Sequence, residues 1–187
     1  MKIAKITNSV MKQNCYVLTK DNKNAIVIDP GLDSKAIKNY LKENNLKPTV
    51  VLLTHGHFDH ISSAKALKDL GAKVYITEAD GPKLLDSEIN MGFIMNIKTE
   101  PVIPDGFLVE GEMEFEGEKF EIVFTPGHTS GSCVIIHKNN IFTGDTYFKE
   151  GVFGRTDLLD GNQENLNKSL EKLKPYLKNK IILAGHE

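Results

Sequence analysis

Hydrophobic residues along the chain occur in short runs separated by polar turns, a pattern typical of β-strands. Three opening runs, KIAKI, NCYVLT and AIVIDPG, predict a set of antiparallel strands. Met113 and Phe115, followed by a turn at Gly117 and by alternating apolar residues up to Phe124, predict a hairpin. Further strands are expected in TVVLLTH, AKVYIT, SCVIIH, NIFTG and KIILAG.

Helical spacing of apolar residues alternates with these strands. We expect helices at residues 34–45, with Asp33 or Ser34 as the N-cap, at residues 59–70 and at residues 163–173. Residues 80–104 contain several prolines and read as irregular, either a mobile flap or a short helix that covers the core. Each half of the chain has strands first and then a helix. The pattern therefore predicts an α/β fold with two stacked sheets and helices on their outer faces.

Histidine and aspartate side chains follow the predicted strands. The runs TVVLLTHGHFDH, FEIVFTPGH, NIFTGD and KIILAGH each end in such residues, within turns of small residues. Five of the six histidines in the chain lie in these four places. His137 lies elsewhere, and we expect it to be a surface or strand-end residue without a role in the site.

Imidazole and carboxylate groups are the nitrogen and oxygen ligands that zinc, iron and manganese accept. The spacing in HGHFDH allows the first two histidines to reach one ion and directs the aspartate and third histidine to a neighbouring ion. Two ions roughly 3.5–4 Å apart hold a hydroxide between them and polarise a substrate carbonyl. We therefore expect one ion at His55, His57 and His128, a second at Asp59, His60 and His186, and Asp145 as the bridge.

Length and composition are those of a soluble protein. The chain has 187 residues, of which 40% are hydrophobic, and we expect a single domain over residues 1–187. A membrane-spanning apolar run and a secretory signal are both absent from the sequence, which favours the cytoplasm. Cys15 and Cys133 lie far apart, and we expect two buried thiols rather than a disulfide or a thiolate metal site.

The charge distribution narrows the class of partner. A formal net charge of −2 gives no basic surface for nucleic acid or for an anionic membrane. We therefore expect the partner to be a small-molecule substrate. The sequence does not determine the oligomeric state. Arg155 is the only arginine in a chain with 23 basic residues, and it is the only side chain with a planar, bidentate cation.

The motifs THGHFDH, TPGHTSGS, TGDT and AGH, in this order, resemble the metallo-β-lactamase superfamily over essentially the whole chain. The resemblance implies an αββα sandwich and the same seven ligands for two divalent metal ions, most simply zinc, with iron or manganese as alternatives. It also implies that Asp29, in IDPG, supports the site from beneath without binding metal.

Within that superfamily, GDTYFKEGVFGRTDLLDGN resembles the small glyoxalase II-like hydrolases. The resemblance implies hydrolysis of a thioester, or of another ester or a lactone, with Asp59 and Asp145 as catalytic residues and Tyr147 and Arg155 as substrate-binding residues. Arg155 either grips a substrate carboxylate or pairs with an acid such as Asp157 to shape the loop. Because this sequence has no C-terminal helical domain of the kind that binds glutathione, we do not expect strong dependence on glutathione.

Two other classes of enzyme in the superfamily share the histidine-rich motif. Persulfide dioxygenases use one iron held by two histidines and one aspartate, here His55, His128 and Asp145. Nucleases of the superfamily usually carry extra domains or basic arms, which this sequence lacks. A purely structural zinc site is the weakest alternative, since four ligands close such a site.

Overall fold

The computed structural model describes residues 1–187, except for the side chain of Glu150. Its strands form two sheets. The first has the order β1 to β6, with bounds Lys2–Thr7, Asn14–Thr19, Asn24–Ile28, Lys47–Leu52, Lys73–Thr77 and Gly106–Leu108. The second has the order β11, β10, β9, β8, β7, numbered along the chain as β7 Gly111–Phe115, β8 Glu118–Phe124, β9 Cys133–His137, β10 Asn140–Gly144 and β11 Ile181–Ala184.

Both sheets are mixed. In the first sheet β1, β2 and β3 are antiparallel neighbours, whereas β3, β4, β5 and β6 run parallel. In the second sheet β7, β8, β9 and β10 are antiparallel neighbours, and β11 lies parallel to β10. The predicted hairpin is confirmed, with Met113 opposite Phe120.

Alternation along the strands sorts the core into three layers. In β3, Ile26 and Ile28 face the second sheet, while Ala25 and Val27 face the helices. Ile37 and Leu41 of helix α1 (Ser34–Glu43) pack in that outer layer. Leu173 of helix α4 (Gln163–Leu177) packs against the outer face of the second sheet. The helices therefore cover both outer faces of the two stacked sheets, and the expected αββα architecture is confirmed.

Helix α1 begins where the sequence indicates. Of the two candidate caps, Asp33 is the one used, since its carboxylate accepts a hydrogen bond of 2.9 Å from the backbone N–H of Ala36. Helix α4 runs past the predicted end and includes Pro175. Asn162 caps α4 by accepting a hydrogen bond from the backbone of Asn165.

The single helix expected at residues 59–70 is wrong. Two short helices replace it, α2 (Phe58–Ile61) and α3 (Ala64–Lys68). The backbone N–H of Ser63 donates to the carbonyl of Pro30 at 2.9 Å, outside the helix, and the Ser63 hydroxyl donates to the carbonyl of Gly31. These bonds divert Ser63 from the helical ladder and tie the metal-motif segment to the loop after β3.

Residues 80–104 are largely irregular, as the sequence predicts. Two 3₁₀ segments, Glu78–Leu84 and Gly92–Met95, replace a regular helix. Leu84 and Val102 are buried in the core, whereas Ile94 and Met95 are exposed. Leu108 ends β6 and pairs with Thr77 in the first sheet. Cys15 and Cys133 are both buried and free.

Among the described residues, none of the helices combines the length and the apolar character needed to cross a membrane.

Candidate metal centre

Strand direction brings the polar turns together. Strands β3, β4 and β5 run parallel in the first sheet, so the loops after their carboxyl ends lie at one edge of the sandwich. In the second sheet β8, β10 and β11 share one direction, and their carboxyl ends lead to His128, Asp145 and His186. The four strand ends singled out in the sequence therefore meet in one place.

The seven predicted ligands form one cluster. His57 Nδ1 lies 2.9 Å from His128 Nε2, and His60 Nε2 lies 3.3 Å from His186 Nε2. Asp145 stands between these two pairs, with one oxygen 3.6 Å from His128 Nε2 and 3.4 Å from His186 Nε2. Donor atoms lie within 4.8 Å of one another in three groups: His55, His57 and His128; His55, His60 and Asp145; Asp59, His60 and His186.

Hydrogen bonds from outside the cluster orient its imidazoles. His60 Nδ1 lies 3.0 Å from the carboxylate of Asp29, His128 Nδ1 lies 2.8 Å from the carbonyl of Arg155, and His186 Nδ1 lies 2.9 Å from the carbonyl of Met11. With Nδ1 engaged, each of these rings directs Nε2 into the cluster. This is the arrangement in which an outer acceptor fixes the tautomer of a metal-binding histidine.

Asp29 has the supporting position that the resemblance implies. Its backbone φ of 49° lies in the left-handed region, which aspartate tolerates better than most residues. Besides His60, its carboxylate accepts hydrogen bonds from the backbone N–H and the hydroxyl of Thr54, at 2.8 and 2.7 Å. Asp29 thus holds the start of the histidine-rich turn against β3.

The electrostatics divide the cluster into neutral and charged parts. Burial lowers the pKa of His57 to about 3 and lowers the pKa of His55 well below the ordinary value, so both are neutral. Burial also opposes a charge on His186, yet hydrogen bonds to Asp145 and Asp59 outweigh it and raise the pKa of His186 to about 10. Burial raises the pKa of Asp59 and Asp145, but the neighbouring imidazoles outweigh it and lower both values.

Several observations fit a divalent cation at this place. The Nε2 atom of His55 is buried and has no hydrogen-bond partner among the described residues, which is costly unless another group contacts it. A Cβ on Gly185 would lie 2.2 Å from Asp145 Oδ1 and 2.8 Å from His60 Cε1, so only glycine leaves the space beside the carboxylate open. The donor set of imidazoles and carboxylates suits zinc, iron or manganese.

A cavity of about 470 Å³ opens onto the cluster. His57, Asp59 and Asp145 lie in its floor. Its walls are mainly apolar and come from the segment after β5, the loop after β10 and the start of the chain. Phe148 is one wall residue and lies edge-on to His186, with ring centroids 6.3 Å apart.

The two predicted substrate-binding residues have different surroundings. Arg155 lines the cavity, but its guanidinium makes two hydrogen bonds, of 2.6 and 2.7 Å, to the carboxylate of Asp157. The structure thus contains the ion pair with Asp157, and the backbone carbonyl of Arg155 orients His128, while the substrate-binding assignment of Arg155 stays a prediction. Tyr147 is partly buried and is not among the residues that line the cavity; its neighbour Phe148 is. The assignment of Tyr147 stays a prediction.

His137 lies away from the cluster at the end of β9, as the sequence indicates, but it is not on the surface. It is 1% exposed, stacks on Phe120 with centroids 4.8 Å apart, and lies 3.1 Å from the carboxylate of Glu118. The apolar run CVII extends burial to the strand end, which is why the surface expectation fails. Its role is to pack the far end of the sandwich.

Sequence reasoning missed a buried ion network beside the cluster. Asp80 is fully buried, and Lys83 Nζ donates to it at 2.6 Å. Asp80 also accepts hydrogen bonds from the backbone of Gly56 at 2.7 Å, from the hydroxyl of Thr129 at 2.8 Å and from the backbone of Gly131 at 3.0 Å. It therefore joins the turn that carries His55 and His57 to the turn that carries His128.

The same lysine extends the network to a third loop. Lys83 Nζ donates to Asp160 at 2.8 Å, and Asp160 also accepts from the backbone of Ser130 at 2.8 Å. Asp160 belongs to the loop that contains Arg155. Asp80 follows the carboxyl end of β5, so the rule that located the histidines, polar residues after parallel strands, also points to this aspartate.

A four-layer αββα sandwich with a cluster of five histidines and two aspartates at the edge of its sheets defines a class of metal-binding α/β proteins. Comparison with known sequences makes the assignment specific. Residues 9–186 match the metallo-beta-lactamase superfamily. The chain belongs to the metallo-β-lactamase superfamily.

Relatives and solved structures agree with this assignment. Hydroxyacylglutathione hydrolase GloC of Haemophilus influenzae is 37% identical, over 100% of this chain and 91% of GloC. The crystal structure of BLEG-1 B3 metallo-beta-lactamase superimposes with a TM-score of 0.92 at 31% identity, over 100% of this chain and 92% of that one. The structure of TTHA1623 in a di-iron-bound form gives a TM-score of 0.87 at 26% identity, with 98% and 92% covered.

Proposed function

We propose that this protein is a metal-dependent hydrolase that uses two divalent ions to cleave a thioester. The observation that carries the proposal is the cluster itself. Seven donor side chains form one cluster, five of them line the cavity above it, and three of the imidazoles are held by outer acceptors with Nε2 directed inward. A single structural ion needs four ligands, so seven are more than it would use.

The proposal divides the ligands between two ions in the way that the sequence predicts. His55, His57 and His128 would hold one ion, and Asp59, His60 and His186 would hold the other. Asp145 reaches both groups and would bridge them. When bound, such a pair lowers the pKa of a water and polarises a carbonyl oxygen.

The residues of the chain then orient the attacking water and exclude other water from the site. Asp59 lines the cavity, and its lowered pKa keeps the carboxylate ionised, so it can accept a hydrogen bond from the attacking water and fix its direction. The apolar walls keep other water away from the reacting carbonyl. A thiolate is a good leaving group, so the reaction needs no dedicated general acid.

The similarity to GloC supports a thioester, since the name of that relative specifies a hydroxyacylglutathione as its substrate. Esters and lactones have the same electrophilic carbonyl and could use the same residues. Zinc is the simplest metal for hydrolysis, and the di-iron form of TTHA1623 supports iron as an alternative.

Metal analysis combined with two activity assays tests the proposal. We expect two ions per chain in protein purified without added metal, and release of thiol from S-lactoylglutathione. One iron per chain, with sulfite formed from glutathione persulfide and no thiol released from the thioester, would replace the hydrolase with a mononuclear dioxygenase. That alternative leaves His57, Asp59, His60 and His186 without a required role.

A further inference from the structure

The cavity above the cluster has a strongly apolar wall. Three of the five methionines in the chain, Met11, Met91 and Met95, line it. Ile94 and Phe153 also line the cavity, from two different segments of the chain, and are 54% and 45% exposed. Large apolar side chains that are exposed to solvent at the mouth of a candidate active site indicate that a ligand covers them.

The charged side chains around the cavity do not favour an anionic ligand. Among the described residues that line the cavity, Arg155 is the only basic side chain apart from the histidines of the cluster. Its guanidinium is already bound through two nitrogens to Asp157. The basic side chain that lines the cavity outside the cluster is therefore shared with a carboxylate, which weakens its attraction for an anionic group such as the carboxylates of a glutathione moiety.

We infer that the acyl group of the preferred substrate is apolar and lies against the methionine-rich wall, and that the enzyme selects thioesters by the hydrophobicity of this group and not by an anionic thiol moiety. The inference rests on the proposed hydrolase function and specifies its substrate class. The position of the wall supports it, because the wall and the ligand cluster enclose one continuous cavity of about 470 Å³.

Methionine side chains give the wall a second property. They are unbranched and flexible, so they adapt to groups of different shape. Tolerance of straight and branched acyl groups should therefore be broad. Each methylene buried against the wall should raise kcat/KM by up to roughly fourfold, the factor that corresponds to transfer of one methylene out of water.

The experiment measures kcat/KM for acetyl, butanoyl, hexanoyl and succinyl thioesters of one neutral thiol, N-acetylcysteamine, with the metal-loaded protein. We expect kcat/KM to rise from acetyl to hexanoyl, and succinyl to be cleaved more slowly than butanoyl. Hydrolysis that is flat across acyl length, or fastest with succinyl, would overturn the inference and leave the hydrolase intact. No cleavage of any member, while S-lactoylglutathione is still hydrolysed, would also overturn the inference, whereas loss of both activities would remove the proposed function.

Two pairs of variants link the preference to the wall. Ile94→Ser and Phe153→Ser remove cavity-lining apolar groups that lie outside the ligand cluster. Leu85→Ser and Leu159→Ser are matched controls, since these leucines are exposed on the same two segments and do not line the cavity. We expect Ile94→Ser and Phe153→Ser to reduce the gain from acetyl to hexanoyl at least threefold, and Leu85→Ser and Leu159→Ser to retain the full gain. An equal gain in the wall variants and the controls would contradict the inference.

Discussion

The buried Lys83 network should control the stability of the metal-binding turns. Lys83 and Asp80 have side-chain exposures of 6% and 0%, and their 2.6 Å contact is the only one that brings a positive charge to the Asp80 carboxylate among the described residues. Lys83→Met keeps much of the side-chain volume and removes the ammonium. The variant leaves Asp80 with three neutral donors and a buried, uncompensated charge.

The expected loss of stability is large for a single substitution, because the ion pair is buried. Removal of one partner from a buried ion pair typically costs about 3–5 kcal/mol in the free energy of unfolding. For a chain of this size, that corresponds to a melting temperature lower by roughly 6–20 °C. Urea unfolding and thermal unfolding of the metal-free protein measure both values. Lys65→Met is the control, because its partner Asp69 is 59% exposed and such pairs contribute about 0–1 kcal/mol.

Metal affinity gives a second readout of the same substitution. Gly56, Thr129 and Gly131 connect Asp80 to the turns of His55, His57 and His128. Loss of a direct contact to a ligand side chain typically weakens metal binding about 10- to 100-fold, and we expect Lys83→Met, which acts through the backbone of the turns, to weaken zinc binding by less than this. If Lys83→Met unfolds at the same urea concentration as Lys65→Met and binds zinc as tightly as the unchanged protein, the network neither stabilises the turns nor positions the ligands.

The pH dependence of the Lys83 effect has a defined sign. Burial lowers the pKa of Lys83, but the carboxylates of Asp80 and Asp160 outweigh burial and raise it above the ordinary value of 10.5. A raised folded-state pKa means that the stabilisation is complete below pH 10.5 and is lost as pH rises through the folded-state value. The difference in unfolding free energy between the unchanged protein and Lys83→Met should therefore shrink at strongly alkaline pH.

Further predictions concern four other positions. Gly185→Ala should lower the metal content to less than half while the protein remains folded, because the new methyl group occupies the space beside Asp145; metal analysis and circular dichroism check this. His137→Ala should lower the melting temperature by several degrees without changing metal content, which a loss of metal would contradict. Burial opposes ionisation of Asp160, but hydrogen bonds from Lys83 and Ser130 lower its pKa to about 2 from the ordinary 3.8. The stabilisation by the Asp160 carboxylate is therefore complete above pH 3.8 and is lost as the pH falls toward 2. Asp160→Asn should make the free energy of unfolding less dependent on pH in this range, as measured by urea unfolding. Arg155→Lys should leave kcat/KM for a neutral thioester within about twofold, since the backbone carbonyl of residue 155 contacts His128; a tenfold or larger loss would restore a direct role in substrate binding.

Local pattern was sufficient for much of the fold. Alternation in β3 places Ile26 and Ile28 on one face and Ala25 and Val27 on the other, and these two sets occupy different core layers in the structure. The hairpin around Gly117 and the capping of α1 by Asp33 were equally visible, because they depend on residues close in sequence. The broken helix at residues 59–70 was not, since Ser63 is diverted by the carbonyl of Pro30 in another loop.

The candidate site divides in the same way. Five histidines and two aspartates after strand ends were enough to predict the cluster, because parallel strands deliver their carboxyl ends to one edge. The identity of their outer partners depended on contacts between segments far apart in the chain: the carbonyl of Met11 for His186, the carbonyl of Arg155 for His128, and the Asp80–Lys83 pair beneath the turns. The sequence specifies the chemistry of each side chain, but the backbone carbonyl is the same in every residue. Only the tertiary structure therefore decides which carbonyls orient the histidines of the cluster.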